Sequence, residues 1–237
     1  MPRFIIISTG IADRELCLRC MASVNPSYCW HHLELDANED SNMNPQGYAG
    51  IGFYSIVHLD RRGALKNFVN AMEYLKPSSD DVIVRLDADD QLTLGAIQVV
   101  AKAYQDNPEA LMTYGSATYE SGREARFQGA YKDNNFRQAS WRCPHLLTFR
   151  AGLWSHIKKN AFLGKDKQYF QSAADLAIFY PLAELAGLDR MVHIETPLYI
   201  YNDLNDLNDH KIDPELQKRC EKLIRRKPQH KRVKHVN

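Results

Sequence analysis

Strand-like and helix-like segments alternate along the first half of the chain, and this alternation constrains the fold more than any other feature of the sequence. Short apolar runs, several of them rich in β-branched residues, predict strands at 4–8, 32–36, 53–59, 82–86 and 110–115. Helical patterns predict helices at 12–24, 62–75 and 92–104. This order predicts an α/β domain with a mainly parallel sheet, flanked by helices and joined by right-handed crossovers.

Three carboxylates, Asp87, Asp89 and Asp90, follow the apolar strand predicted at 82–86. Two such charges about 5 Å apart repel by roughly 3 kcal/mol at an effective dielectric of ~20, so the group needs solvent, basic side chains or a cation. Hard oxygen ligands suit Mg²⁺ or Mn²⁺, which usually complete their coordination with phosphates of a substrate. A solvated acidic turn that caps the next helix is the alternative interpretation.

Polar or small residues also follow two other predicted strands. Thr9 and Gly10 come after the first strand, and Asp36 ends the second. In open parallel sheets, ligands bind at the carboxyl ends of the strands. The sequence therefore predicts that these residues and the three carboxylates form one ligand site.

Composition excludes some classes of protein and favours others. The 30 Lys and Arg residues nearly balance the 29 Asp and Glu residues, so no particular partner is favoured and no nucleic acid is expected. No run approaches the roughly 18 apolar residues of a spanning helix, and the run at 4–7 is too short for the core of a signal peptide. Five cysteines cannot form a complete disulfide framework, which indicates a reducing compartment, the cytoplasm.

The second half is less regular. Helices are predicted at 146–157, 173–187 and 213–225, with short strands at 193–194 and 198–201. Asp175 would point inward or act as an N-cap, and Pro181 would kink or restart that helix. Lys222 to Lys234 is strongly basic and would be a solvated tail or contact an anionic membrane or acceptor weakly.

From residue 4 to about 225, the sequence resembles the inverting nucleotide-sugar glycosyltransferases of the GT-A fold, of the family 2 kind. The motifs that carry this resemblance are Ser8-Thr9-Gly10, the polar loop at 36–41, Gly63-Ala64-Leu65-Lys66-Asn67, the D-x-D segment Leu86-Asp87-Ala88-Asp89-Asp90, and the segments at 144–150, 173–177, 197–202 and 208–211. The resemblance implies a Rossmann-like, mainly parallel mixed sheet with an acceptor-side region towards the C-terminus.

The resemblance also implies an activity: transfer of a sugar, with inversion, from a nucleotide sugar (UDP-linked in our expectation) to a hydroxyl of a glycan, a lipid-linked sugar or another acceptor. Residues 1–115 would form the nucleotide-sugar-binding half, 116–225 the acceptor-binding and catalytic half, and 226–237 a basic tail. Asp175 would be the catalytic base. Mn²⁺ or Mg²⁺ would be held by Asp87, Asp89 and His210, although His210 could also be a simple surface residue.

Further residues gain expected roles from the same resemblance. Trp141 and His145 would shape the acceptor site, with simple packing as the alternative for Trp141. The nucleotide sugar would contact Thr9, Gly10, either Asp36 or Asp40, Lys66, Asn67, Asp87 and Ala88.

Three other classes compete with a glycosyltransferase. An aspartyl-phosphate phosphatase also places D-x-D after a strand, but it requires Thr or Val where this chain has Gln91. A nucleotidyltransferase usually has a glycine-rich basic loop after its first strand, and residues 9–13 lack one. A non-catalytic sugar-binding module would bind the nucleotide sugar without releasing nucleoside diphosphate.

Overall fold

The structure is a computed structural model that describes residues 2–37, 49–50, 53–142 and 144–236. Asp40, a predicted nucleotide contact, lies outside these ranges. The strands are β1 (Phe4–Ile11), β2 (Cys29–Asp36), β3 (Ala49–Gly50), β4 (Phe53–His58), β5 (Val82–Asp87), β6 (Gln91–Leu92), β7 (Met112–Tyr119), β8 (Leu147–Arg150) and β9 (Met191–Tyr201). The helices are α1 (Arg14–Ala22), α2 (Ala64–Leu75), α3 (Ala96–Asp106), α4 (Ala174–Ala186), α5 (Asp209–Ile212) and α6 (Pro214–Arg225).

The described strands form one mixed sheet in the order β3-β4-β2-β1-β5-β8-β7-β9-β6. The β4-β2-β1-β5 block is parallel, β8 runs antiparallel between β5 and β7, and β7 pairs with β9 in parallel. The predicted α/β class with a mainly parallel mixed sheet is therefore confirmed. No helix in the described ranges combines the length and apolar character needed to cross a bilayer.

Strand β5 shows how the two faces of the sheet are covered. Val82, Val84 and Leu86 point to one face, where they pack in a cluster with residues of α3. Ile83 points to the other face and joins a cluster built largely from α2 and α4. Because side chains alternate along a strand, Arg85 and Asp87 follow Ile83 onto the α2 and α4 face.

The first strand is longer than the sequence predicted. The expected end at Ser8 is wrong, because β1 continues to Ile11 and pairs in parallel with β2 up to Asp36. Gly10 lies inside this strand, and a Cβ atom there would come within 3.2 Å of the Cβ of Ala88. The missing side chain thus lets the segment after β5 pack closely against the end of β1.

Three predicted elements of the later chain need correction. The helix at 146–157 is wrong: β8 is followed by a 3-10 turn at Ala151–His156, since this segment fills the sheet between β5 and β7. The helix predicted from 92 starts at Ala96, because Gln91 and Leu92 pair with β9. The two short strands near 193 and 198 are one strand, β9.

The basic C-terminal segment packs against α4 rather than forming a solvated tail. The Val233 amide donates to the Leu185 carbonyl at 3.0 Å. Arg232 pairs with Asp189, and the His230 amide donates to Glu184, which also forms a buried ion pair with Arg137. The carboxylates of α4 and of the turn after it supply partners that composition alone does not reveal.

Candidate active site

A cavity of about 220 Å³ opens where β1, β2 and β5 end, next to the start of α4 and to α5. Among the described residues, three basic ones line it, Arg61, Arg85 and His210. Acidic residues outnumber them: Asp13, Asp36, Asp87, Asp89, Asp90, Asp175 and Asp209. The predicted convergence of β1, β2 and β5 residues at one site is present, and the excess of carboxylates favours a bound cation.

The centre of the cavity is a group of three charged side chains. The Arg85 guanidinium is buried; one of its nitrogens donates to Asp87 at 2.7 Å, and the other lies 2.8 Å from Asp175. Strand alternation puts Arg85 and Asp87 on the same face, and α4 begins opposite them. Asp175 lies in the first turn of α4, and Ala173 occupies the N-cap position, so the predicted N-cap role of Asp175 is wrong.

Burial and neighbouring charges set the protonation of this group. Burial raises the pKa of the Asp87 carboxyl to about 7, against the opposing effect of Arg85. Burial also raises the pKa of Asp175, but Arg85 and His145 outweigh it and hold that pKa below its usual value. Burial lowers the pKa of His145 to about 4, so its ring is neutral near pH 7. Asp175 is therefore the carboxylate that stays ionised.

Asp89 and Asp90 have different environments although they are adjacent. Asp90 is fully buried and accepts hydrogen bonds from the Tyr199 hydroxyl at 2.5 Å and the Asn202 amide at 2.6 Å. These bonds join the turn after β5 to the end of β9. Asp89 is half-buried and accepts one bond from the Asn205 amide group at 2.7 Å. Asp90 thus has a structural role, and Asp89 keeps oxygen lone pairs for a ligand.

Asp36 is buried at the end of β2 and anchors the start of α2. Its two carboxylate oxygens accept from the Gly63 amide and the Asn67 side chain, both at 2.8 Å. Gly63 has a positive φ of 82° and carries no side-chain cap, so Asp36 supplies the negative charge that the helix N-terminus favours. Asn67 is thereby committed to Asp36, while Thr9, Gly10 and Asp36 line the cavity wall.

The donor atoms of the cavity suit a hard divalent ion. Among the described residues, Asp87, His145 and Asp175 bring possible ligand atoms within 4.8 Å of one another. Arg85 already supplies positive charge to two of these three. Asp89 and His210, the other predicted ligands, line the same cavity. The carboxylate oxygens match the ligands that Mn²⁺ and Mg²⁺ accept.

Five predicted site residues are not part of the described lining of this cavity: Lys66, Asn67, Ala88, Trp141 and His145. Lys66 is half-buried on α2 and does not line it. Trp141 packs edge-on against Phe179 and Tyr180 of α4, as the packing alternative predicted. His145 does approach the site: its ring stacks on Tyr199 at 4.4 Å between centroids, and its Nε2 lies 3.8 Å from Asp175.

Several residues that line the cavity received no role from the sequence, among them Arg61, Arg85, Tyr201 and Asp209. Arg85 carried a usable signal, because an arginine inside an otherwise apolar strand must find a buried counter-charge. The other three lie in segments whose position depends on the tertiary fold.

No protein-family model and no curated protein matches this sequence. Solved structures do match its fold. The 1–349 fragment of S. aureus TarS gives a TM-score of 0.59 at 13% identity and covers 84% of this chain. The same fragment in complex with UDP-GlcNAc gives 0.55 at 10% identity over 85% of this chain. The mannosyltransferase PcManGT from Pyrobaculum calidifontis, in complex with GDP-Man and Mn²⁺, gives 0.55 at 12% identity over 84%.

These similarities establish the fold, a Rossmann-like α/β fold of the GT-A kind. The chain spans 60% of the TarS fragment, 58% of that fragment in its UDP-GlcNAc complex and 56% of the mannosyltransferase.

The contrast between the two adjacent carboxylates can be tested by stability. We expect Asp90→Asn to lower the free energy of unfolding by about 1–3 kcal/mol, because an amide cannot accept from both buried donors. Asp89→Asn should change it by less than about 0.5 kcal/mol, as for a substitution that leaves no buried group unpaired. Chemical denaturation without added metal measures both. Equal losses in the two variants would contradict the structural role given to Asp90.

Proposed function

We propose that this protein is a metal-dependent glycosyltransferase that moves a sugar from a nucleoside-diphosphate sugar to an acceptor hydroxyl, with inversion at the anomeric carbon. One observation carries the proposal: an ionised carboxylate, Asp175, lies beside the acidic end of β5 in one cavity. The fold supports it, since similar structures hold UDP-GlcNAc, or GDP-Man with Mn²⁺.

The donor would lie along the ends of β1, β2 and β5. Thr9, Gly10 and Asp36 would contact the nucleoside, and Asp87 and Ala88 would contact the ribose and phosphates. Gly10 adds no side chain to this wall, and the segment after β5 packs closely against it there. We favour a UDP-linked donor, as in the TarS complexes, and a GDP-linked sugar is the competing donor.

A divalent ion fits the charge of the cavity. In the described part of its lining, seven carboxyl groups face two guanidinium groups, so the ionised carboxylates outnumber the cations even with Asp87 protonated, and a diphosphate would meet net negative charge unless a cation accompanied it. Asp87 and Asp89, with His210, would hold Mn²⁺ or Mg²⁺. When bound, the ion would act as a Lewis acid that neutralises the leaving diphosphate. Burial lowers the pKa of His210, which keeps its imidazole neutral and able to bind metal.

Asp175 would act as the general base. The acceptor hydroxyl gives its proton to the Asp175 carboxylate while its oxygen forms a bond to the anomeric carbon. The bond from that carbon to the diphosphate oxygen breaks, and the electron pair leaves with the nucleoside diphosphate. Attack on the face opposite the leaving group inverts the anomeric centre. Arg85 keeps Asp175 ionised and therefore able to accept the proton.

The acceptor and location are further parts of the proposal. We propose a glycan, a lipid-linked sugar or another hydroxyl compound as acceptor, with His145 beside the base. The four described cysteines are free and buried, which is consistent with a cytoplasmic location. A weak contact between the basic C-terminal segment and an anionic membrane stays a proposal, and the pairing of Arg232 with Asp189 already compensates part of that charge.

Metal and nucleotide binding can be measured by titration calorimetry. We expect the protein to bind Mn²⁺ weakly alone and more tightly with uridine diphosphate, because the phosphates complete the coordination of the ion. Affinity should rise as the pH increases through about 7, because the ion must displace the proton that Asp87 carries below that pH. Asp89→Asn should lose the metal-dependent gain. A variant that binds metal and nucleotide as well as the parent would exclude Asp89 as a ligand.

The role of Asp175 can be tested with the nearly isosteric Asp175→Asn. We expect the affinity for uridine diphosphate to stay close to the parent value, because the base contacts the acceptor. The melting temperature should fall but the fold should persist, because buried Arg85 loses the charge of one of its two carboxylate partners and keeps Asp87. Turnover should fall by ~10²- to 10⁴-fold, the typical contribution of a positioned base. Release of nucleoside diphosphate from the donor measures turnover. Near-normal release would refute the base assignment, and release that is absent in the parent would indicate a non-catalytic binding module.

A further inference from the structure

Arg85 occupies an unusual place for an arginine. It lies inside β5 between Val84 and Leu86, both fully buried, and only 2% of its own surface is exposed. A buried guanidinium is stable only when carboxylates compensate its charge. An apolar side chain at this position would be compatible with a buried strand. The role of Arg85 should therefore be found in the groups that its guanidinium contacts.

The guanidinium joins two elements that are distant in the chain. One nitrogen donates to Asp87 at the end of β5, and the other forms an ion pair with Asp175 in the first turn of α4. Within the part of the chain that the structure describes, this is the one ion pair between β5 and α4. The planar guanidinium can serve both carboxylates at once, whereas a lysine ammonium is a single point charge.

Apart from the apolar packing of Leu176 and Ala177 in the core, few polar contacts fix the start of α4. Its N-cap, Ala173, has a left-handed backbone with φ of 60° and provides no side-chain cap. Besides Arg85, the Asp175 carboxylate has a hydrogen bond with the backbone at Asp175 itself, and Nε2 of His145 is 3.8 Å away, beyond hydrogen-bond distance. The place of the Asp175 carboxylate therefore depends mainly on Arg85.

We propose that Arg85 is a positioning residue: its guanidinium holds the Asp175 carboxylate at a fixed place beside the end of β5, where the acceptor hydroxyl loses its proton. This rests on the proposed function, in which Asp175 is the base. A displacement of about 1 Å at a reacting group can cost ~10²-fold in rate, so a residue that sets this place controls turnover without touching substrate.

A double-mutant cycle tests the proposal. Arg85→Gln should lower kcat for the release of nucleoside diphosphate by ~10²-fold, and Arg85→Lys by less. Because kcat is measured at saturating donor and Mn²⁺, a change in affinity that acts through Asp87 is separated from the loss in kcat. In the Asp175→Asn background, Arg85→Gln should lower kcat by less than about twofold, because its effect acts through Asp175. The same loss in both backgrounds would overturn the proposal.

Arg3→Gln is the matched control. It removes an arginine–aspartate pair, Arg3 with Asp81, just before the other end of β5. Its kcat should equal that of the parent, and a loss as large as that of Arg85→Gln would show that any missing ion pair near β5 slows turnover, which overturns the proposal. Near-normal kcat of Asp175→Asn alone would refute the proposed function instead, so the two failures are distinguishable.

A second measurement needs no substrate. In a crystal structure of Arg85→Gln, the Asp175 carboxylate should be displaced by about 1 Å or more, or adopt several conformations, relative to the parent. If the glutamine variant does not fold, Arg85→Met keeps the length of the side chain in an apolar form and serves the same comparison. An Asp175 carboxylate in its parental position would overturn the proposal.

Discussion

Several carboxylates lie close together at the ends of the parallel strands, and the surrounding residues must compensate their charges. Asp36 is compensated by the start of α2, Asp90 by Tyr199 and Asn202, and Asp87 and Asp175 share Arg85. Each compensation also fixes an element: α2 against β2, the turn after β5 against β9, and α4 against β5. The contacts that compensate these carboxylates therefore also hold the neighbouring helices and strands in place.

The negative charge that these contacts do not compensate indicates which class of ligand the cavity can bind. Asp89 retains free lone pairs and faces the cavity, and the cavity keeps an excess of negative charge after Arg61 and Arg85 are counted. Such a site suits a cation together with an anionic ligand, the combination that a nucleoside diphosphate and a divalent ion provide. The charge balance and the fold thus favour the same class of ligand.

The sequence predicted the first half of the fold well because its signals there are local. Leu65, Phe68, Val69 and Met72 repeat with the period of a helix and are buried on α2. The segment at 147–150 was wrongly predicted to be part of a helix. Its apolar residues suit a helix or a strand, and only pairing with β5 and β7 decides between them. The packing of Trp141 could not be predicted for a related reason, since an aromatic residue in a loop gives no sign of its partners on α4.

Residues of the candidate site could be predicted from the sequence where they directly follow a strand. Asp87 and Asp89 were identified because strand ends and acidity are both visible in the sequence. Arg85 was overlooked because Asp175, its second partner, lies far along the chain. Lys66 was expected at the phosphates from a motif alone, and it is not among the residues that line the cavity.

The most direct test of the central claim is a crystal structure with Mn²⁺ and uridine diphosphate, with anomalous scattering to locate the metal. The account predicts one Mn²⁺ peak about 2.0–2.2 Å from carboxylate oxygens of Asp89 or Asp87, with the diphosphate on the same ion and the base of the nucleotide along the ends of β1 and β2. Nucleotide bound elsewhere, or no metal peak in this cavity, would contradict it.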